Sequence, residues 1–270
     1  AREKIGNLYP PVKVTEEMAK DRPDLKPYVG KELPVIAWIW ARTVASPNPA
    51  ARGAHVPLLS TFWLSSKKGS EAWLEPIVDR TTGTWRFAVR TGPPEDREVV
   101  KAGTKSGTGG FRCLVSDSPI PFDYIRAEGE QGRLGCVMVA AVAQLPRGRT
   151  YLARTDEQAK AAEAASPSNF PDSDLPPEAL GFRIQNYGIR KHWQMFTSRQ
   201  LTAMLTLSDL AKAIREDVRR DAGAAGFSDE EAEAYAATVV TFFALALNRC
   251  ADFNCAFSTW KPSGQQQMHL

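Results

Sequence analysis

The stretch that decides the fold runs from Ile36 to Gly69, IAWIWARTVASPNPAARGAHVPLLSTFWLSSKKG, with a second half from Phe111 to Gly135, FRCLVSDSPIPFDYIRAEGEQGRLG. Each half sets an apolar, aromatic-rich run beside a tight turn. Pro34 to Val44 is β-branched and aromatic, the composition of a well-buried strand. The turns Ser46-Pro47-Asn48-Pro49-Ala50-Ala51 and Cys113-Leu114-Val115-Ser116 stand where paired zinc knuckles would. A structural zinc site takes four nitrogen or sulfur ligands in a tetrahedron. The first turn has none and the second has only Cys113.

Outward from this stretch, strands are expected at Val56–Leu64, Glu71–Val78 and Thr84–Arg90. The last two are separated by Asp79-Arg80-Thr81-Thr82-Gly83, a hairpin signal. Gly92 to Gly110, GPPEDREVVKAGTKSGTGG, reads as an exposed, mobile loop. Its Gly107-Thr108-Gly109-Gly110 end lacks the Gly-Lys-Ser/Thr of a phosphate-binding loop. Further strands are expected at Phe111–Val115, Cys136–Val142 and Thr150–Ala153, then a surface helix over Thr155–Ala165 and a loop with four prolines over Ser166–Asn186. Upstream, residues 2–8 read as helix, stopped by Tyr9-Pro10-Pro11.

The remainder is helical. Thr197 or Ser198 caps a helix whose apolar positions Leu201, Met204, Leu205, Ile214 and Val218 keep the 3.6-residue period. A second helix opens on the capping box Ser228-Asp229-Glu230-Glu231 and continues toward Phe253. Together they form an antiparallel hairpin expected to pack beside the β-rich half. The expected fold class is thus α+β: a helix end and linker (1–33), an antiparallel β-rich, degenerate zinc-ribbon-like region (34–153), a short helix and loop linker (154–196), the helical hairpin (197–260) and a frayed tail (261–270).

Composition constrains function only loosely. The chain has 270 residues, 43% of them hydrophobic, enough for a substantial core; the net charge of +3 permits nucleic-acid binding without requiring it. Four irregularly spaced cysteines and no secretory segment point to reduced thiols in a cytoplasmic protein. No stretch reaches the roughly 18 uninterrupted apolar residues of a membrane span. The best candidate, Ala236–Leu247, is flanked by Glu231, Glu233 and Arg249 and reads as a buried helix, so no membrane partner is expected. Both chain ends read as cuts in something larger.

Motifs for catalysis are missing. There are three histidines: His269 lies in the tail, and His192 sits between Lys191 and Trp193 without a Ser or Cys partner motif. Asp172/Asp174 and Glu230/Glu231 read as loop and cap residues. No catalytic and no cofactor-binding residue is assigned. One thiolate (Cys113) and one imidazole (His55) are too few for a closed metal site, and Cys136 lies within an apolar run; no zinc is expected, and Cys113 and His55 are vestiges.

These motifs resemble the zinc-ribbon insert of a family of adenine-specific DNA methyltransferases, large bacterial enzymes that also carry a domain of unknown function. The family reads approximately Ile-Ala-Trp-x-Trp-Ala-Arg-Thr-Val, Cys-Pro-Asn-Pro-x-Cys and Phe-Trp-Leu-Ser-x-Lys-Lys. Here these are Ile36–Val44, Ser46–Ala51 and Phe62–Lys68. The family's Cys-x-x-Cys followed by Pro-x-Asp-Tyr-Ile-Arg-Ala-Glu-Gly is similar to Cys113-x-x-Ser116 and Pro121–Gly129. The likeness extends from about Gly6 to Gly264.

The resemblance implies transfer of a methyl group from S-adenosylmethionine to adenine in DNA by the intact enzyme, in restriction–modification or phage defence. It also implies that the cofactor turn lies before this region and the Asp/Asn-Pro-Pro-aromatic turn after it. Pro10-Pro11, Pro93-Pro94 and Pro176-Pro177 have neither the acidic or amide residue before them nor the aromatic after. The chain therefore resembles the central, DNA-positioning or target-recognition part, inactive alone. Its expected partners are DNA and the missing N- and C-terminal methyltransferase parts. Cationic side chains near aromatics are the DNA candidates: Arg42, Lys67, Lys68, Arg126, Arg190, Lys191 and Arg199. Two other readings are open: a structural remnant of a broken gene, and a protein-interaction module that docks onto separate catalytic halves.

Overall fold

A computed structural model describes residues 1–178 and 183–263. The chain opens with α1 (Arg2–Ile5), followed by β1 (Val12–Lys13), α2 (Glu16–Ala19) and β2 (Glu32–Leu33). The long strand β3 (Val35–Ala45) comes next, then β4 (His55–Leu58), β5 (Trp63–Ser65), β6 (Ala72–Asp79) and β7 (Thr84–Thr91). After α3 (Arg97–Ala102) come β8 (Lys105–Ser106), β9 (Gly110–Arg112), β10 (Pro119–Pro121) and α4 (Phe122–Glu130). The chain continues through β11 (Gly135–Gln144), β12 (Arg149–Ala153) and α5 (Asp156–Glu163) to the two long helices α6 (Ser198–Ala224) and α7 (Asp229–Phe253).

The structure is mixed α and β, with antiparallel sheets followed by a C-terminal helical hairpin. The strand β3 is an inner strand of the main sheet, whose order is β12-β11-β3-β4, but it is not the well-buried strand its composition suggests: only Ala41, Thr43 and Val44 are buried, and Ile36 is 46% exposed. A second sheet, β5-β6-β7, faces it across a core of Phe62, Leu64, Leu74, Phe87, Val89, Val139 and Val142. Its hairpin turns where expected: Asp79 Oδ1 accepts from Thr81 N at 2.8 Å, and Gly83 supplies the left-handed residue at φ 73°. Small sheets β1-β2 and β10-β9-β8 complete the β half.

The structure departs from the sequence reading at several places. Val56–Leu64 is not one strand: β4 joins the main sheet and β5 the second. The connector between them is held by long-range bonds, Leu59 N to Thr104 Oγ1 at 2.9 Å and Thr61 Oγ1 to the Val100 carbonyl at 3.1 Å. Those partners belong to Gly92–Gly110, which is no open loop. Asp96 caps α3 there by accepting from the amides of Glu98 and Val99, and Val100 and Thr104 are buried. Gly103 lies so close to the connector that an added Cβ would stand 2.5 Å from the Leu59 carbonyl oxygen. The strand expected over Phe111–Val115 stops at Arg112, and Pro121–Gly129, read only as a motif, forms α4. The start of the expected tail is held by the second sheet: Trp260 Nε1 donates to Leu64 O at 2.7 Å, and Ser66 N to Pro262 O at 3.0 Å. The rest of it, 264–270 with His269, lies outside the described residues.

Both long helices start on the expected capping boxes, Thr197 with Gln200 and Ser228 with Glu231. They pack along one another, bridged by Arg215 and Glu233, but the hairpin meets the β half mainly at its base, through α1, α5 and the segment after α7. The expectation of a buried helix over Ala236–Leu247 is therefore overturned. Ala232 and Ala236 are the buried residues of α7, whereas Phe242 and Leu245 are 69% and 59% exposed. By length and composition α7 is long and apolar enough to cross a membrane. The physical reason for the error is that periodicity reports an apolar face, not what covers it.

Candidate functional site

Two features stand out on either side of β3. The first is the pair of turns. Asn48 Oδ1 accepts from Ala50 N at 2.9 Å, and Arg52 and Gly53 turn the chain back at φ 52° and 72°. Ala51 is fully buried and Ser46 nearly so. From more than sixty residues away, Cys113 joins Ala51 in one cluster with Val44, Val56 and Ile120, itself 1% exposed. The Ser116 amide donates to Cys113 Sγ at 3.3 Å. Burial pushes the Cys113 thiol up, but hydrogen bonds from the Ser116 and Ser46 side chains and from the Ser116 and Val115 amides outweigh it and hold the thiol below its ordinary value. Positions 46, 51, 113 and 116 of the two turns thus come together as a hydrogen-bonded, apolar cluster. His55 is engaged elsewhere, its Nδ1 3.3 Å from Thr43 Oγ1. Among the described residues no group of three or more His, Cys, Asp or Glu side chains is placed to hold an ion.

The second feature is a cavity of about 270 Å³ over the β3 residues Trp38, Trp40 and Arg42, closed by Tyr9, the first turn of α6 and the segment from Phe253 to Trp260. Arg199 lies in its wall. Its guanidinium stands 4.2 Å above the Trp38 ring and 4.9 Å from that of Tyr9, and its Nη1 donates to Leu8 O at 3.1 Å. The Trp38 indole is fixed in turn by Gln158, 2.6 Å from its Nε1. Burial pulls the Arg199 guanidinium below its ordinary value, with the Tyr9 hydroxyl acting the other way. Arg42 lies on β3 with its guanidinium over Phe257 at 5.6 Å. It also borders a second cavity of about 400 Å³, walled by Phe111, Phe122, Tyr187 and Phe257.

The sequence candidates for DNA contact sort into distinct groups. Arg199 is corrected outright: 5% exposed and stacked on two rings, it cannot lie along a duplex surface. Arg126 and Lys191 are exposed or half-buried but committed, Arg126 to Asp123 at 2.8 Å and Lys191 to Asp172 at 2.8 Å and Asp174 at 3.7 Å. Lys67 and Lys68, on the turn between β5 and β6, and Arg190 are exposed and form no ion pair among the described residues. Cys136, expected deep in an apolar run, is exposed and borders the cavity, at the start of β11 opposite Arg42.

The Tyr9–Trp38–Arg199 stack was not found by reading the sequence. Arg199 follows the helix cap by two positions, where a charged residue reads as solvated; the rings that receive it are 190 and 161 positions away. No family model, no curated protein and no solved structure matches this chain.

Proposed function

We propose that this chain is the central, DNA-positioning part of an S-adenosylmethionine-dependent, adenine-specific DNA methyltransferase with a degenerate zinc ribbon, and that it does not transfer methyl groups by itself. The observation that carries the reading is the meeting of Ser46, Ala51, Cys113 and Ser116. These are the positions at which the resembling family has its four knuckle cysteines, and two turns so far apart need not meet in an arbitrary fold. Hydrogen bonds and apolar packing here do what a metal would do there. Lys67 and Lys68 are the cations best disposed for phosphate contact, since both are exposed and neither is paired among the described residues. The test is a duplex-binding titration at several salt concentrations, with tritiated S-adenosylmethionine present. Salt-sensitive binding without methyl incorporation supports the reading; incorporation above a protein-free control, or no binding at low salt, refutes it.

One observation favours a second reading, docking onto separate catalytic parts. The outer face of α7 presents Tyr235, Phe242 and Leu245, at least half exposed, in a helix that packs along α6 alone among the long elements. Co-purification of separately expressed flanking parts with the chain, lost on Phe242→Glu, would establish it.

A further inference from the structure

The cavity over Trp38, Trp40 and Arg42 holds a positive charge without a counter-charge. Arg199 carries five N–H donors and uses one, to the Leu8 carbonyl; among the described residues no carboxylate lies within 4.0 Å of it. Cation–π contact offsets part of the cost of burying this charge, and the donors not used on Leu8 are free for an anion. Its contacts with Trp38, Tyr9 and the Leu8 carbonyl hold the guanidinium in place in the wall before any ligand arrives.

A second donor set points to the same wall. The helix α6 begins there, with Thr197, Arg199 and Gln200 all lining the cavity. The amides of Gln200 and Leu201 are taken by Thr197, but those of Ser198 and Arg199 find no acceptor among the described residues. Free amides at the positive end of a 27-residue helix, beside a buried arginine, make an anion site. Arg42 borders the cavity as well, its guanidinium turned over Phe257 of the neighbouring one. The rest of the lining is aliphatic, small and polar residues together with Trp40 and Trp260.

One cation and the positive helix end, about +1.5 together, are balanced better by a phosphate monoester, at about −1.5 to −2 near neutral pH, than by one carboxylate. Aromatic walls take a planar ring by stacking. The volume of about 270 Å³ lies just under the usual range for small-molecule sites of about 300 Å³ and above, which limits the ligand to one small unit. We infer that this cavity binds a single nucleoside monophosphate, its phosphate on Arg199 and the first amides of α6, its base against Trp40 and Trp260. The inference stands apart from the DNA-positioning reading, since the ligand is either a free nucleotide or one unit of a single strand.

The experiment is calorimetric titration of the whole chain with dAMP and TMP, alongside deoxyadenosine, inorganic phosphate and benzoate, with tryptophan fluorescence as a second signal. The nucleotides should bind at least tenfold more tightly than any of the three controls, and Arg199→Gln should abolish the difference. Because Arg199 also holds α6 to β3, Arg42→Gln and Trp40→Leu serve as variants that keep that stack; each should weaken dAMP at least fivefold with the melting transition retained. Nucleotides no tighter than phosphate or benzoate, or dAMP binding unchanged in both of these variants, would overturn the inference. Displacement of dAMP by a short single-stranded oligonucleotide identifies a strand as the source; no displacement identifies the free nucleotide. Duplex binding without dAMP binding sinks this inference and leaves the DNA-positioning reading intact, and dAMP binding without duplex binding does the reverse.

Discussion

The guanidinium of Arg199 lies 4.2 Å above the indole of Trp38, joining the first turn of α6 to the central strand β3. The stack unites residues 161 positions apart, and Tyr9, whose hydroxyl donates to Arg199 O at 3.3 Å, closes it from a third element. Three parts of the chain therefore depend on one side chain. Arg199→Ala should lower stability by about 2–4 kcal/mol, through poorer packing, removal of the cation–π interaction and an unsatisfied Leu8 carbonyl. Lysine should recover little of it, because an ammonium has no planar face to lay on the Trp38 ring and no fork of donors to reach Leu8 as well. Chemical denaturation of the three proteins checks this; a lysine variant as stable as the parent would count against the stacking account.

The knuckle cluster makes a prediction about metal. The parent chain should carry no stoichiometric zinc, with Cys113 the one thiol in the cluster. The triple variant Ser46→Cys, Ala51→Cys, Ser116→Cys should take up about one zinc per chain and melt at higher temperature with the ion than without it. Elemental analysis and melting curves decide; a triple variant that stays metal-free in excess zinc would mean the four positions do not converge closely enough.

Lys67 and Lys68 should act on DNA without acting on folding. Changing both to Ala should weaken duplex binding similarly on all sequences and reduce the log–log salt slope by about one unit for each phosphate no longer neutralised. Stability should move by less than about 0.5 kcal/mol, since both side chains are exposed on a turn. An unchanged affinity would exclude this patch.

Acid should find Asp24. Burial raises its carboxyl, but the hydrogen bond and charge of Arg22 and the Thr150 hydroxyl outweigh this, and the net shift is downward. The bonds are Arg22 Nε to Oδ1 at 2.8 Å and Nη2 to Oδ2 at 2.7 Å, with Arg22 also donating to Tyr151 O at 2.8 Å. A carboxyl lowered in the folded state contributes stability that is fully present above its unfolded value, near 3.9, and is lost as pH falls through the lower folded value. Asp24→Asn should therefore be less stable than the parent at neutral pH, and the gap should close below about pH 4. Denaturation midpoints across that interval measure it; a gap independent of pH would assign the loss to packing.

On α7, Phe242→Glu should leave the melting transition nearly unchanged, whereas Ala236→Leu, at a fully buried position against α6, should destabilise by about 1–3 kcal/mol through overpacking. If Phe242→Glu instead destabilised the chain as strongly, the outer face would be covered by part of the protein itself.

Local chemistry carried the sequence reading as far as local chemistry acts. Val35–Ala45 is a strand because its β-branched and aromatic residues suit nothing else, Asp79 and Gly83 make their turn unaided, and Thr197 and Ser228 cap helices with neighbours three residues on. Where partners are distant the reading failed. Gly92–Gly110 has the composition of a loop, yet Asp96 caps a helix in it and Val100 and Thr104 hold the β4–β5 connector. The helix α7 is apolar enough to be buried, but burial needs a neighbour that its own residues do not specify. Arg199 was legible as a cation and not as a buried one, since nothing near it in sequence reveals the rings that receive it. The knuckle positions were found through resemblance; without a ligand pattern, Ser46 and Ala51 carry no chemical signature of their own.

The base of the helical hairpin is fastened at both of its ends, among other ties by Arg199 on Trp38 where α6 begins and by Trp260 on Leu64 beyond the end of α7. A helix of 27 residues extends about 40 Å, so the tip near Gly226 stands far from both fastenings. An arm held at one point swings freely; an arm held at two behaves as a lever. Force applied at the tip must arrive at its mountings as torque, and those mountings are two walls of the same cavity.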